Sequence, residues 1–188
     1  TGMPDPQHYS TARDLARLTQ ALIRDFPDYY PIYSTKEFRY NNITQPNRNR
    51  LLTLDPTVDG LKTGFTETAG YCLIASAKRG PRRLISVVLG ADSDAARAQE
   101  SLKLLNHGFL DFDAYKLYDK GQAVSRIKVF KGAENTVGAG FGREFLVSLP
   151  KGVAPDRIKV RLAGRQPLIA PVSRGAAVAT LSVFVDDQ

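Results

Sequence analysis

Tryptophan is absent from this 188-residue sequence, and cysteine occurs only once, at Cys72. A single cysteine cannot form a disulfide within the chain, so the sequence excludes the small domains that disulfide bridges hold together. No apolar run approaches the roughly 18 residues that a membrane-spanning helix requires. Because hydrophobic residues make up 43% of the composition, the chain can instead bury a core and form one or two globular domains.

Acidic residues are scarce in the second part of the chain, which makes the charge distribution uneven. Residues 1–113 carry 14 Lys and Arg against 13 Asp and Glu, a net charge of +1, whereas residues 114–188 carry 12 against 6, a net charge of +6. The excess fits either a solvated basic surface or attraction to an anionic membrane or envelope polymer. Nucleic acid is not predicted as a partner, because the basic residues are scattered and no aromatic recognition motif accompanies them.

Helical periodicity appears at two places in the first part of the chain. Thr11 followed by Asp14 is a helix-start signature, and the apolar spacing after it predicts an amphipathic helix over residues 12–25. A second helix is predicted over residues 95–106, with Gly108 as its terminator. These two helices would flank whatever strands lie between them.

Apolar runs of strand length occupy the region between the two helices. They predict strands over residues 60–66, 70–78 and 82–90, the last two joined by the turn Lys78-Arg79-Gly80-Pro81 as an antiparallel hairpin. Residues 27–57 are rich in Pro and Asn and are predicted to be irregular, apart from a short strand at 38–40. The first part of the chain is therefore of the α+β class.

The pattern changes around residues 111–122, after which no helical periodicity is found. Short strands separated by Gly and Pro are predicted over residues 145–149, 158–162, 168–170 and 178–185. This spacing favours a small all-β sandwich. The predicted domains are accordingly residues 1–113 and residues 114–188.

The segment around Lys62-Thr63-Gly64 combines a cation, a bare backbone and hydroxyls. On a strand, Lys62, Gly64 and Thr66 share one face, and Thr63 and Phe65 take the other. Such a strand edge suits an extended peptide that ends in a carboxylate, because it offers charge, close backbone approach and a hydroxyl donor. Lys-Thr-Gly alone is a weak signal, since three such common residues more often form a simple turn.

The surroundings of this triplet make the signal specific. The stretches 58–66 (VDGLKTGFT) and 69–77 (AGYCLIASA) closely resemble the third motif of the penicillin-binding D-alanyl-D-alanine carboxypeptidases, the low-molecular-mass penicillin-binding proteins. Further similar stretches cover most of the chain: 1–6, 8–12, 41–45, 47–49, 83–91, 104–109, 150–152 and 170–171. The resemblance implies the C-terminal part of a serine β-lactamase/transpeptidase-like domain, an antiparallel sheet with flanking helices, followed by the β-rich second domain of that family.

The resemblance also implies a role for each residue of the motif. Lys62 would set the electrostatics and hold the substrate carboxylate, and Thr63 would pack or bond behind it. Gly64 would admit the substrate backbone, and the Phe65 N–H would be one oxyanion donor, although many members carry a polar residue at that position. Thr66 and Arg97 would bind the carboxylate. Arg48 is a further candidate, which would either contact the ligand or hold its own connection against the strand.

The activity that the resemblance implies is serine-type removal of the terminal D-alanine from peptidoglycan stem peptides, with no cofactor or metal. Partners would be peptides ending in D-Ala-D-Ala, β-lactam antibiotics that acylate the serine, and an anionic membrane surface. The location would be the periplasm or cell envelope, peripheral to the inner membrane. We identify no S-x-x-K segment and no second motif that could carry the nucleophile. A complementary N-terminal fragment is therefore expected as a partner, and this chain alone is predicted to be inactive.

Two other functions remain compatible with the sequence. A non-catalytic peptidoglycan-binding or partner-docking protein could keep the K-T-G strand without the nucleophile. A serine β-lactamase would share K-T-G but would not need a basic β-rich domain.

Overall fold

The computed structural model describes residue 5 and residues 7–186, and the chain forms two compact units that divide between Asp111 and Phe112. Most of segment 1–6, which contributed to the family resemblance, lies outside the described residues. In the described part of the chain, no helix is both long and apolar enough to cross a membrane. The α+β class predicted from the sequence is confirmed.

The first unit is built around a three-stranded antiparallel sheet in the order β3-β4-β5. Its elements follow one another along the chain as helix α1 (Ala12–Asp25), a 3-10 turn (Tyr30–Ser34), hairpin strands β1 (Glu37–Tyr40) and β2 (Ile43–Pro46), the short helix α2 (Leu51–Leu54), strands β3 (Val58–Thr66), β4 (Gly70–Arg79) and β5 (Arg82–Ala91), and helix α3 (Asp94–Leu110). The predicted helices and strands of this unit are all present, with boundaries that differ by a few residues, but the prediction that 27–57 is irregular apart from one strand is wrong, since β2 and α2 also form there.

The start of α1 follows from its capping residue. The Thr11 hydroxyl accepts a hydrogen bond from the Asp14 N–H at 3.1 Å, which satisfies one of the amides that a helix leaves unpaired at its first turn. The helix ends at Asp25, two residues before Pro27, as the sequence predicts.

The core of the first unit lies where α3 and α2 cover one face of the sheet. Alternate residues of β4 supply its centre: Leu73, Ala75 and Ala77 are at most 1% exposed. The remaining buried members are Leu51, Leu52, Val58, Ala98 and Leu105. Burying a leucine side chain contributes about 1.5–3 kcal/mol. This cluster therefore fixes α3 against the strand that pairs with the K-T-G segment.

Gly108 does not terminate the second helix, contrary to the sequence-based prediction. It lies inside α3, which continues to Leu110. A Cβ at this position would lie 2.6 Å from Leu84 Cδ1, so the glycine is explained by the close packing of the helix on β5. A glycine late in a helix thus had two physical explanations, and packing is the one that applies.

Arginines at the β4–β5 turn tie the sheet to the elements around it. Arg79 donates to Asp55 Oδ2 at 2.8 Å and to Asn106 Oδ1 at 2.8 Å, and its guanidinium lies over the Phe109 ring. Burial raises the pKa of the Asp55 carboxyl, but hydrogen bonds from Thr57 and from Arg79 outweigh burial and leave this pKa below its ordinary value. The Asp55 side chain is 10% exposed and that of Arg79 30%, so water screens this ion pair only in part.

The lowered pKa predicts how this ion pair responds to acid. Asp55 contributes stability above the unfolded pKa of about 3.9, and that contribution is lost as the pH falls through the lower folded pKa. We expect Asp55→Asn to lower the free energy of unfolding by about 1–2 kcal/mol near pH 7. The difference from the unchanged chain should shrink below about pH 4. Urea unfolding across pH measures both effects.

The matched control is Asp25→Asn, since Asp25 pairs with Arg24 at 2.6 Å but both side chains are well exposed. This substitution should change stability less than Asp55→Asn does. An Asp55→Asn difference that stays constant down to pH 2 would contradict the account.

The second unit consists of three antiparallel strand pairs. Strand β6 (Phe112–Tyr118) pairs with β9 (Phe145–Pro150), β7 (Ala123–Lys128) with β8 (Thr136–Gly140), and β10 (Ile158–Gly164) with β11 (Ala179–Val185). Its buried apolar side chains are Ile127, Val129 and Ala139. The β-rich character predicted for this region is confirmed for the residues that the structure describes.

The strand predicted over residues 168–170 is not formed. Only a single parallel bridge joins Ile169 to Phe130, with hydrogen bonds from the Phe130 N–H to Leu168 O and from the Ala170 N–H to Phe130 O. Pro167 and Pro171 flank this bridge, and proline has no N–H with which to extend a ladder.

Candidate functional site

Strand β3 presents the K-T-G segment at the edge of its sheet. It pairs on one side only, with β4, in the register Lys62↔Ile74, Gly64↔Cys72 and Thr66↔Gly70. Neighbouring side chains therefore alternate across the sheet, with Lys62, Gly64 and Thr66 on one face. In the described part of the chain, the outer edge of β3 has no strand partner, so its backbone groups can pair with an extended peptide.

An open cleft of about 670 Å³ lies along this edge. Nine residues line it: Arg48, Arg50, Lys62, Thr63, Gly64, Phe65, Tyr71, Asp94 and Arg97. The structure thus brings together six of the seven site residues predicted from the sequence; the exception is Thr66. No group of three or more His, Cys, Asp or Glu that could hold a metal occurs among residues 5 and 7–186.

Lys62 and Gly64 leave the middle of the cleft open. The Lys62 side chain is exposed, and its ammonium donates to the carbonyl of Thr63. A Cβ built on Gly64 would meet only Cys72 Cβ, at an ordinary contact distance of 3.9 Å. The packing of this chain therefore does not require glycine at position 64. The missing side chain leaves space through which a ligand backbone can approach the strand.

Arg97 reaches the strand from the first turn of α3 and is 5% exposed. Its guanidinium donates to the carbonyl oxygens of Gly64 at 3.0 Å and Cys72 at 3.4 Å, and it pairs with Asp94. It also lies over the Tyr71 ring, 5.4 Å from the centroid. Arg97 therefore holds the K-T-G hairpin to the helix, and its role as a ligand for a substrate carboxylate stays a prediction.

Thr66 and Phe65 lie at the end of β3, towards the turn into β4. The Thr66 hydroxyl accepts a hydrogen bond from the Ala69 N–H at 3.0 Å and lies 3.3 Å from the Thr68 hydroxyl, so it stabilises this turn. The Phe65 ring is 55% exposed and packs on Tyr71, with ring centroids 4.3 Å apart. The predicted carboxylate-binding role of Thr66 and oxyanion role of the Phe65 N–H stay predictions.

Asn49 anchors the irregular connection to β3, a role that the sequence did not predict. It is 2% exposed, donates from Nδ2 to the carbonyl of Gly60 at 2.9 Å and accepts from the Leu51 N–H at 3.2 Å. In an Asn-rich stretch, the default expectation was local hydrogen bonding, and nothing in the sequence distinguished this asparagine from its neighbours. Because Asn49 is fixed, Arg48 and Arg50 on either side of it are carried to the cleft.

Arg50 is a cleft residue that the sequence did not predict, as are Tyr71 and Asp94. Its Nη1 lies 3.5 Å from Asp94 Oδ2, and the two side chains are 58% and 41% exposed. Asp94 therefore stands between the exposed Arg50 and the buried Arg97. Three arginines from two separate segments converge here, which spacing along the chain could not indicate.

Two serines do have Lys three positions on, which corrects the sequence analysis: Ser125 with Lys128, and Ser148 with Lys151. Neither pair lines the cleft. Ser125 and Lys128 both lie on β7, where residues three apart point to opposite faces, whereas the same spacing shares a face on a helix. Ser148 lies on β9, and Lys151 follows the end of that strand. Neither pair is assigned as a nucleophile with its base.

The contacts of Arg97 predict that its loss weakens the fold around the cleft. Arg97→Ala removes the hydrogen bonds to the two strand carbonyls and the ion pair with Asp94, and we expect the free energy of unfolding to fall by about 1–3 kcal/mol. A larger loss is not expected, because the Asp94 carboxylate left behind remains partly hydrated. Urea unfolding measures this difference.

The control for that measurement is Arg50→Ala. It removes an exposed arginine with the same ionic partner and should change stability by less than about 1 kcal/mol. Equal effects of the two substitutions would contradict a structural role for Arg97.

Comparison with known proteins covers both units. The sequence model described as D-alanyl-D-alanine carboxypeptidase matches residues 1–93, and the model of the C-terminal domain of penicillin-binding protein 5 matches residues 112–188. The D-alanyl-D-alanine carboxypeptidase DacC of Escherichia coli strain K12 is 43% identical over 182 residues, which are 96% of this chain and 45% of that protein.

Two solved structures are also similar. Penicillin-binding protein 5 from Haemophilus influenzae is 40% identical with a TM-score of 0.84, over 99% of this chain and 55% of that one. Penicillin-binding protein D2 from Listeria monocytogenes, solved in an ampicillin-bound form, is 36% identical with a TM-score of 0.53, over 57% and 46%. The chain spans about half the length of the curated relatives that it matches.

Proposed function

Because this chain belongs to the D-alanyl-D-alanine carboxypeptidase family, we propose that it supplies the substrate-binding strand of a serine-type D-Ala-D-Ala carboxypeptidase. The observation that carries the proposal is the cleft beside β3, which is lined by Gly64 of an unpaired strand edge and by the cations of Lys62 and Arg48. An extended peptide can pair with this edge by its backbone. The cations favour a peptide that ends in a free carboxylate.

In the reaction proposed here, a serine attacks the carbonyl between two terminal D-alanines and releases the last one. Water then hydrolyses the acyl-enzyme. Lys62 lowers the energy of the substrate carboxylate and of the negative charge that develops in the transition state. The Phe65 N–H is the proposed oxyanion donor on this strand, Thr66 assists carboxylate binding, and Arg97 keeps Gly64 in place. No metal or cofactor takes part in the proposal.

β-Lactams are the second proposed class of ligand. The Listeria monocytogenes relative was solved with ampicillin bound. A penicillin carries a carboxylate beside an acyl group that a serine can open, so it presents the same two features as the peptide. The carboxylate would meet the cations of the cleft in the same way.

The nucleophile is proposed to come from a segment other than these 188 residues, paired with this chain as a complementary fragment. Support comes from the strand positions of Ser125 and Ser148, which do not suit a nucleophile with its base. Apolar side chains of the first unit are also uncovered: Leu18 of α1 is 64% exposed and Leu104 of α3 is 49% exposed. Covering these side chains with another protein segment would remove apolar area from water, which is favourable.

Fluorescent penicillin tests this assignment directly. The 188-residue chain alone is expected to form no covalent adduct, because the acylated serine is not among its residues. Mixed with a fragment that carries S-x-x-K, it should give an adduct that peptide mapping places on that fragment, together with release of D-alanine from a D-Ala-D-Ala peptide. Stoichiometric labelling mapped to residues 1–188 would refute the proposal.

The second candidate is a non-catalytic peptidoglycan-binding or partner-docking protein, which the accessible strand edge also permits. The same experiment separates the two functions. If the chain binds the D-Ala-D-Ala peptide but no S-x-x-K fragment restores turnover, the non-catalytic function is the better account. Lys62→Ala in an active mixture should lower kcat/KM by about ten- to a hundred-fold, since a charge-assisted contact is lost.

We place this activity at the cell envelope and propose an anionic membrane surface as the partner of the second unit. The unit carries a surplus of basic residues, among them the exposed Lys159 and Arg161 of β10. Attraction of this kind falls with ionic strength, because salt screens exposed charges beyond about 10 Å at 0.1 M.

The chain is therefore expected to bind vesicles that contain anionic lipid more strongly than neutral vesicles at low salt, and to lose this preference above about 0.5 M salt. Co-sedimentation measures the bound fraction. Replacing Lys159 and Arg161 by Gln should weaken binding, whereas replacing Arg13 and Arg17 of α1 is the charge-matched control. Equal binding to both kinds of vesicle at low salt would exclude the membrane as partner.

A further inference from the structure

We propose that Arg50, which pairs with Asp94 in this structure, is a specificity-determining residue of the cleft and binds a second carboxylate of the peptide. This inference rests on the proposed function, since it concerns the same cleft. It predicts a preference for peptides with two carboxylates, which the K-T-G motif by itself does not predict.

The first argument is the geometry of the two ion pairs on Asp94. One carboxylate oxygen pairs with the buried Arg97, and the other lies 3.5 Å from Arg50 Nη1, beyond an ordinary hydrogen bond. Arg97 is fixed by the carbonyls of Gly64 and Cys72 as well. The Arg50 side chain is 58% exposed. Arg50 can therefore exchange Asp94 for a ligand carboxylate at little cost, whereas Arg97 cannot turn away without breaking its hydrogen bonds to both carbonyls.

The second argument is the charge of the cleft. Its lining contains four cations, Arg48, Arg50, Lys62 and Arg97, and one anion, Asp94. Asp94 offsets Arg97, which leaves three exposed cations for the ligand. A single terminal carboxylate offsets one of them. A peptide with a second carboxylate near its C-terminus matches this surplus better than a monoanionic peptide does.

The third argument concerns where the cations stand. Lys62 belongs to β3, while Arg50 stands at the start of α2, held next to the buried Asn49. Their side chains approach the cleft from two different segments, so one carboxylate is not required to satisfy both. Arginine binds carboxylates in a bidentate manner, which makes its contact selective for geometry as well as charge.

The test compares three peptides by NMR titration of the 188-residue chain: acetyl-Glu-D-Ala-D-Ala, acetyl-Gln-D-Ala-D-Ala, and the C-terminal amide of the Glu peptide. The Glu peptide should bind about three- to ten-fold more tightly than its Gln isostere at low salt. Arg50→Gln should make the affinities for the Glu and Gln peptides equal, while the preference for the free acid over the amide should remain. Arg17→Gln, an exposed arginine of α1 outside the cleft, is the charge-matched control and should preserve both.

The outcomes separate this inference from the proposed function. Equal affinity for the Glu and Gln peptides, with weaker binding of the amide, would overturn the role of Arg50 and leave the carboxypeptidase proposal standing. A Glu preference that survives Arg50→Gln, or that Arg17→Gln also removes, would likewise overturn it. If the unchanged chain bound the Glu peptide and its C-terminal amide with equal affinity, both the role of Arg50 and the proposed function would be contradicted. Arg50→Lys, which keeps the charge, should retain part of the ratio.

Discussion

The buried guanidinium of Arg97 is the interaction on which the cleft depends. It is bonded to the carbonyls of Gly64 and Cys72, which face each other across β3 and β4, and to Asp94 one turn earlier on its own helix. A cation in the first turn of a helix is unfavourable beside the helix dipole, and Asp94 at the same end offsets that cost. The helix, the hairpin and the ionic lining of the cleft are thereby joined at one side chain.

This constraint gives the two arginines near Asp94 different tasks. Arg97 is held by the backbone of the strand it supports, so its position changes only if the hairpin changes. Arg50 has one long contact to an exposed carboxylate. Arg97 is buried and bonded at several points, whereas Arg50 is exposed and has one long ionic contact. The apolar core under β4 serves the same end, because Leu73 and Ala75 fix the strand from the face that α3 covers.

Local patterns in the sequence were sufficient for most of the fold. The Thr11 cap, the alternation of β4 and the hairpin turn at Gly80 act through residues adjacent in the chain, and the elements they predict are present. Gly108 was misassigned because a glycine near a helix end has the same local appearance whether it terminates the helix or packs against Leu84. Residues 168–170 were misassigned because apolar composition outweighed the flanking prolines. The first error concerns long-range packing, which a local pattern does not contain, whereas the second overlooked a local signal, the two prolines.

The residues of the cleft fall into the same two groups: those that a local pattern indicates and those that it does not. Lys62, Thr63, Gly64 and Phe65 are contiguous, so a motif indicates them, and Arg97 and Arg48 entered through family resemblance. Asn49 lay within a stretch of the resemblance but had no role assigned to it, and Arg50 had neither signal. Asn49 acts through one buried hydrogen bond to Gly60, eleven residues further along the chain, and Arg50 through an ion pair with Asp94, forty-four residues away. A motif reports the residues that a reaction needs next to one another along the chain. Residues from distant segments that anchor or line the cleft are brought in by the fold, and a structure is needed to find them.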